Sequence, residues 1–285
     1  GGRVLTLDSA GHGTLARAAA AARPLDAAVA RSDDDLAAIL YTSGTTGRSK
    51  GAMLTHDNLT SNALTLIDAW GITGSDVLIH ALPIFHVHGL FVALNTMLLA
   101  GGRMVWHQKF NPDAVIDAMA DASAPATLMM GVPTFYTRLL ASPRLTAGAC
   151  RGMRLFVSGS APLLAETFRQ FEQQTGHRIL ERYGMTETGM NASNPLVGER
   201  RAGTVGFPLP GTEVRVMSDE GAPMGPGETG GLQVRGPNVF GGYWRMPEKS
   251  AEEFAEGGWF KTGDIAMIDA DGYVHLVGRA KDLII

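Results

Sequence analysis

Between an apolar run at residues 36–41 and an amphipathic run at 55–70 lies Tyr41-Thr42-Ser43-Gly44-Thr45-Thr46-Gly47-Arg48-Ser49-Lys50-Gly51. Three glycines among hydroxyl side chains let a backbone turn with positive φ and approach a ligand closely. Successive N–H groups can then converge on an anion while a lysine adds a point charge. The spacing is not that of the common nucleotide loop, in which glycine and lysine are adjacent and Ser or Thr follows, because Lys50 stands between Ser49 and Gly51. A flexible surface loop has a similar composition. The ordered flanks favour a phosphate cradle: 36–41 reads as a short buried strand, and Leu59, Ala63, Leu66, Ile67 and Trp70 recur at helical spacing, with Thr55 or Asp57 as N-cap and Gly71 as the stop.

The same alternation of apolar runs and amphipathic helices continues to about residue 203. Strands are expected at 103–107, 127–130, 154–157 and 178–181, a helix from Asn111-Pro112-Asp113, and another with Leu164, Phe168 and Phe171 on one side and its end near Gly176. Beyond 203 the texture changes to short alternating segments at 213–217, 232–235, 264–268 and 273–277, the last two flanking Asp269-Ala270-Asp271-Gly272, a hairpin signal. The expected fold is α/β: a helix-covered mixed or parallel sheet followed by a β-rich subdomain. Expected divisions are an N-terminal segment or linker over 1–35 with one candidate strand at 4–7, a core over 36–203, the β-rich part over 204–278, and a last piece over 279–285. The alanine-rich stretch 16–30 reads as a surface helix or linker.

Composition restricts the functional classes. With 45% hydrophobic and 18% charged residues, a chain of 285 residues can bury a sizeable core. A net charge of −4 without a basic block offers nothing to nucleic acid or an anionic membrane. Residues 89–100, the most apolar stretch, fall short of the ~20 needed to span a bilayer and read as a buried helix. One cysteine, Cys150, excludes an internal disulfide and fits a reducing, cytoplasmic setting.

Further segments repeat the loop's chemistry in a fixed order: Pro83-Ile84-Phe85-His86-Val87-His88-Gly89, Ser158-Gly159-Ser160-Ala161-Pro162-Leu163, Arg182-Tyr183-Gly184-Met185-Thr186-Glu187-Thr188, Gly242-Tyr243-Trp244, Thr262-Gly263-Asp264 and Gly278-Arg279-Ala280-Lys281-Asp282. Together with the loop they resemble the signatures of the adenylate-forming superfamily, which includes acyl-CoA synthetases, luciferases and the adenylation domains of peptide synthetases. The resemblance implies attack of a carboxylate on the α-phosphate of ATP, then transfer of the acyl group from AMP to a thiol, with ATP, Mg²⁺ and coenzyme A as cosubstrates and cofactor. It assigns Thr42, Ser43, Gly44, Thr45, Thr46, Gly47 and Lys50 to the departing phosphates, Thr186 to the α-phosphate and Glu187 to Mg²⁺. It assigns Ser160, Ala161, Pro162, Arg182, Tyr183 and Gly184 to adenine, with Tyr183 stacking on it, and Asp264 and Arg279 to ribose. His86, Ser158, Gly184 and Met185 fall at the acyl group, and Lys281 at a hinge. Taken alone, Glu187 is also read as a helix-start or solvated charge, Gly159 to Pro162 as an ordinary strand-to-helix turn, and His88 as a core histidine. His86 and His88 share a strand face but lack a third ligand near in sequence, which argues against zinc.

Within the superfamily, Gly131-Val132-Pro133-Thr134-Phe135-Tyr136-Thr137-Arg138-Leu139, Met185-Thr186-Glu187-Thr188-Gly189-Met190-Asn191 and 237–249 resemble malonyl-CoA synthetases. Malonate is therefore the preferred small-molecule acid, with methylmalonate or another short acid as the alternative. Arg138, about one turn into a helix that starts at Pro133, is the candidate partner of a second carboxylate, and a surface position on that helix is its competing reading. A carrier-loading adenylation domain would need an aspartate in the acyl pocket that the sequence does not supply. Relative to the family, part of the large domain and the lid with its catalytic lysine lie outside the sequence, so the chain alone is expected to bind nucleotide and turn over poorly.

Overall fold

The computed structural model describes residues 4–42 and 49–280. Two units divide the chain after Ser32. In the first, α1 (Thr14–Ala21) buries none of its residues. Residues 4–7 form no strand. Thr6 N–H donates to Thr14 Oγ1 at 2.7 Å and Thr6 O accepts from Leu15 N, so this backbone is satisfied locally, and Val4 and Leu7 stay exposed.

The second unit opens with β1 (Leu36–Thr42), antiparallel to β2 (Lys50–Thr55), with Tyr41 opposite Gly51 and Thr42 opposite Lys50. The strands on either side of the glycine-rich segment therefore pair with each other, and β2 separates that segment from the following helix. The expectation of a buried first strand is corrected too. Leu36 and Tyr41 in β1 are exposed, whereas Ala52 and Leu54 in β2 are buried. Gly51 permits this pairing, since a Cβ there would lie 2.7 Å from Ile39 Cγ2. Backbone bonds from Met53 N to Gly242 O and from Trp244 N to Gly51 O tie this pair of strands to the segment around Tyr243.

Helix α2 (His56–Ala69) starts from a reciprocal cap: Asn58 N donates to Thr55 Oγ1 at 3.1 Å and Thr55 N to Asn58 Oδ1 at 2.9 Å. Next come β3 (Val77–His80), a π-helical segment (His88–Leu94) running into α3 (Asn95–Ala100), β4 (Arg103–Trp106), α4 (Pro112–Ala120), β5 (Leu128–Gly131), α5 (Pro133–Leu140), β6 (Leu155–Ser158), α6 (Ala165–Thr175), β7 (Leu180–Met185), β8 (Gly189–Ser193) and β9 (Phe207–Pro208). These strands form a sheet of order β4-β3-β5-β6-β7-β8-β9, parallel through β7 and antiparallel beyond it. Every residue of β3, β5 and β6 is buried, as a parallel sheet covered on both faces requires. Alternate side chains serve two cores. Ile79, Met129 and Phe156 pack with Ile116 and Met119 of α4, Tyr136 and Leu139 of α5 and Phe168 and Phe171 of α6. Leu78, Leu128, Met130, Leu155 and Val157 pack with Leu66, Trp70, Val92 and Met97. Leu164 caps α6 and is exposed; Phe168 and Phe171 are its buried face.

The β-rich part comprises β10 (Glu213–Met217), β11 (Thr229–Arg235), α7 (Pro247–Glu253), β12 (Phe254–Ala255), β13 (Trp259–Ile268) and β14 (Val274–Arg279), with all pairings antiparallel. The β13–β14 turn is the expected one, with Asp269 Oδ1 accepting from Asp271 N and Tyr273 N. Tyr183 and Ala192 of the large sheet join Val205, Val216, Leu232 and Val274 in one cluster, which locks the β-rich part onto β7 and β8.

Candidate active site

Parallel strands bring their carboxyl ends to one edge of a sheet, where loops leave a crevice. At that edge lies a cavity of about 840 Å³. The β1–β2 pair lends it Thr42 and Lys50, the segment after β3 Pro83, His86 and His88, and the turn after β6 Ser160. Arg182, Gly184, Met185, Thr186 and Glu187 line it from β7 and the turn to β8, and Tyr243, Glu253, Thr262, Gly263, Arg279 and Ala280 from the β-rich side. Residues more than 230 positions apart thus meet at one site. Ser43, Gly44, Thr45, Thr46, Gly47 and Lys281 lie outside the described residues.

Lys50 Nζ sits 3.3 Å from Glu253 Oε1 and 4.3 Å from the centre of the Tyr243 ring. The Tyr243 hydroxyl donates to Glu187 Oε1 at 2.9 Å, and burial together with that carboxylate pushes its ionisation far up. Glu187 is itself buried, its backbone oxygen fixed by Phe240 N at 2.8 Å. A cation, an aromatic hydroxyl and a carboxylate are therefore held in fixed contact on one wall. Among the described residues no group of three or more His, Cys, Asp or Glu side chains could hold a metal ion by itself. A hard divalent ion here would need phosphate oxygens and water beside Glu187.

The opposite wall carries an unusual charge. Arg182 is 2% exposed, and neither its Nε nor its Nη2 has a hydrogen-bond partner. Burial pulls its ionisation down to about 10 against the opposing influence of Tyr136 and Glu181. Its guanidinium lies against Gly159, where a Cβ would come within 2.5 Å of Cζ. Glu181, its neighbour in β7, accepts from Leu163 N at 2.8 Å and is raised to about 7 by burial. His88 is buried, with Nδ1 3.2 Å from Ser160 Oγ and Nε2 unpartnered. His86 is exposed and lines the cavity. The two histidines do not share a strand, since His88 opens the π-helical segment.

Several expected contacts fall elsewhere. The Tyr183 ring packs in the cluster that joins the β-rich part to β7 and β8; its hydroxyl donates to Asp264 Oδ2, and Asp264 Oδ1 forms an ion pair with Arg279 Nε at 2.7 Å. Ala161 and Pro162 are exposed beyond the lining, and Ser158 is buried behind it with Oγ unpartnered. Arg138 lies on the exposed side of α5, because Tyr136 and Leu139 take the buried side, and its guanidinium stands 4.9 Å from the centre of the Phe110 ring. It does not line the cavity, so the buried guanidinium there is Arg182. No helix among the described residues is long and apolar enough to cross a membrane.

The class follows from comparison with known proteins: residues 2–244 match the family of AMP-binding enzymes, and the chain belongs to that family. Among individual proteins, it is 43% identical to the malonate–CoA ligase of Arabidopsis thaliana over 262 residues, which are 86% of this chain and 43% of that protein. ATP-bound MatB from Rhodopseudomonas palustris is 59% identical and superposes with a TM-score of 0.95 over 99% of this chain and 55% of that one. A malonyl-CoA ligase ternary product complex with methylmalonyl-CoA and AMP is 45% identical, with a TM-score of 0.85 over 92% of this chain and 57% of its own. The chain thus spans about half the length of these relatives.

Proposed function

We propose that this chain forms the nucleotide- and acid-binding part of an ATP-dependent acid–CoA ligase whose preferred acid is malonate. The observation that carries the choice of acid is Arg182: a guanidinium at 2% exposure, with Nε and Nη2 lacking a hydrogen-bond partner, from a residue of the cavity wall that also holds Lys50, Thr186 and Glu187. A buried charge with open donors is costly unless something anionic completes it. A dicarboxylate does so with one end and leaves the other to react.

In the first half-reaction a carboxylate oxygen attacks the α-phosphorus of ATP, the bond to the β-phosphate oxygen breaks, and pyrophosphate leaves. In the second, the thiol of CoA attacks the acyl carbon and AMP leaves with the electron pair of the acyl–oxygen bond. The barrier to the first step is mostly charge, an anion approaching a polyanion, so fixed donors and cations lower it. Lys50 and Thr42 serve the departing phosphates, and Thr186 serves the α-phosphate. Releasing Lys50 from Glu253 accompanies nucleotide entry. Glu187 fits Mg²⁺ as a buried carboxylate already oriented by Tyr243, and bound there the ion supplies neutralisation of phosphate charge. His86, exposed on the cavity lining with Gly184 and Met185, serves the acyl group. Asp264 acts through Arg279, holding it at the cavity for the ribose side. A cytoplasmic setting belongs to the same reading and is supported by the free, buried Cys150.

Equilibrium binding with an acid of equal carbon count but one carboxylate is the test. In the presence of Mg²⁺ and a non-hydrolysable ATP analogue, the chain should bind malonate at least tenfold more tightly than propionate, about 1.4 kcal/mol. Equal affinities would remove malonate as the preferred acid.

A further inference from the structure

Ser250 is a half-buried serine within α7, and its hydroxyl makes two hydrogen bonds whose directions are both fixed. It donates to Met246 O at 2.7 Å, where only the hydroxyl has a proton to give, and accepts from Tyr243 N at 2.8 Å, where only the amide has one. The first bond is the one a serine in a helix makes by itself, back to the carbonyl four residues earlier. The second reaches out of the helix, and the helix has no need of it. The segment it reaches makes room for it: Gly242 has a φ of 131°, open to glycine, and a Cβ there would lie 2.8 Å from Ser250 Oγ.

Tyr243 is 3% exposed, and its ring packs among Ala52, Leu54, Phe240 and Phe260. Those contacts hold the ring in an apolar cluster but give its hydroxyl no direction. The backbone anchor at Ser250 does, since it fixes the end of the residue from which the ring projects. At the far end the hydroxyl donates to Glu187 Oε1 at 2.9 Å. Without the Ser250 hydroxyl, a buried amide would be left to find another partner. That penalty, about 1–3 kcal/mol, is large enough to move the segment.

We infer that Ser250 is a positioning residue: by anchoring Tyr243 it sets the direction of the Glu187 carboxylate, and so the affinity of the site for a divalent cation bound together with a nucleoside triphosphate. Ser250 touches neither ligand. This role rests on the acid–CoA ligase reading and deepens it, because it makes α7 the outer support of the cation site. AMP without a metal ion makes no call on Glu187 and is indifferent to Ser250.

The test combines ¹³Cζ NMR of the tyrosines with calorimetric binding of two probes, metal-free AMP and Mn²⁺ with the α,β-methylene analogue of ATP. It compares the wild-type chain with S250A, Y243F and the double variant. Alanine is the best helix former, so S250A keeps α7, and the resonance missing from Y243F assigns Tyr243. S250A is expected to shift that resonance and to weaken binding of Mn²⁺ with the analogue about three- to tenfold, the worth of one neutral hydrogen bond, with AMP binding unchanged. Y243F should weaken it about tenfold or more, as loss of an outer partner of a metal ligand does. Once that hydroxyl is gone, S250A should add less than about twofold, because the two residues act through one contact. An equal loss of AMP binding in S250A, or a full S250A effect on the Y243F background, would show a general effect on the fold and overturns the proposal. An unshifted Tyr243 resonance in S250A overturns it as well. If the wild type does not bind Mn²⁺ with the analogue, the ligase reading fails instead, and the NMR still decides whether Ser250 sets Tyr243.

Discussion

Replacing Arg182 by methionine should stabilise the protein while abolishing its preference for a dicarboxylate. The guanidinium is buried at 2% exposure with two nitrogens unpartnered, and its ionisation is pulled from 12.5 to about 10. That shift corresponds to roughly 3 kcal/mol by which the site disfavours the charged form. Methionine keeps much of the unbranched stem and removes the charge, so the acid-free protein should gain about 1–3 kcal/mol, with local repacking absorbing the remainder. Malonate binding should weaken about a hundredfold or more, because a buried charge partner is lost. The assay is urea unfolding with and without malonate, reading the midpoint at unchanged slope. A variant destabilised by more than about 1 kcal/mol without acid would show that the guanidinium holds the fold together, which refutes its role as an unsatisfied anion receptor. Retention of malonate-dependent stabilisation would refute it equally.

Glu181 gives a pH signature of opposite practical consequence. Burial raises its folded value from 4.5 to about 7, so its stabilising contribution is complete below the unfolded value and is lost as pH rises through about 7. Wild-type stability should fall by about 3 kcal/mol between pH 4.5 and 8 relative to Glu181→Gln, and parallel profiles of the two would contradict the burial argument. Thr55→Ala should cost about 1 kcal/mol by removing one arm of the reciprocal cap on α2, measured as a lower urea midpoint, and no change would mean that Asn58 alone caps the helix.

Legibility in the sequence followed the physics of each element. The 213–217 strand coincides with β10, and β4, β5 and β6 fall within a residue or two of their expected spans, because their apolar runs are bounded by turns. Strands β2 and β3 were not legible. The first begins with Lys50-Gly51, residues that do not favour strands, and is held by pairing with β1 and by the Tyr243 segment. The second, Val77–His80, is no shorter than β4, β5 and β6, so length does not set it apart, and its pairing between β4 and β5 is what identifies it. Motif positions located Lys50, His86, Ser160, Arg182, Gly184, Met185, Thr186, Glu187 and Arg279, all of which line one cavity. What motifs could not give was facing. Arg182 and Tyr183 are neighbours in β7, yet one lines the cavity and the other packs in the cluster that joins the β-rich part to β7 and β8. Arg138 has helical spacing suited to either side of α5, and only the burial of Tyr136 and Leu139 decides it. The contact of Ser160 with His88 depends on a left-handed backbone angle that a serine does not advertise.

The central claim is that one cavity holds the triphosphate at Lys50 and Glu187 and the far end of a dicarboxylate at Arg182. A crystal structure of this chain with a non-hydrolysable malonyl-adenylate analogue and Mg²⁺ addresses it most directly. The account predicts the free carboxylate within hydrogen-bond distance of Arg182, the α-phosphate beside Thr186, and Mg²⁺ on Glu187. A free carboxylate directed to solvent, with the Arg182 nitrogens still unpartnered, would contradict it.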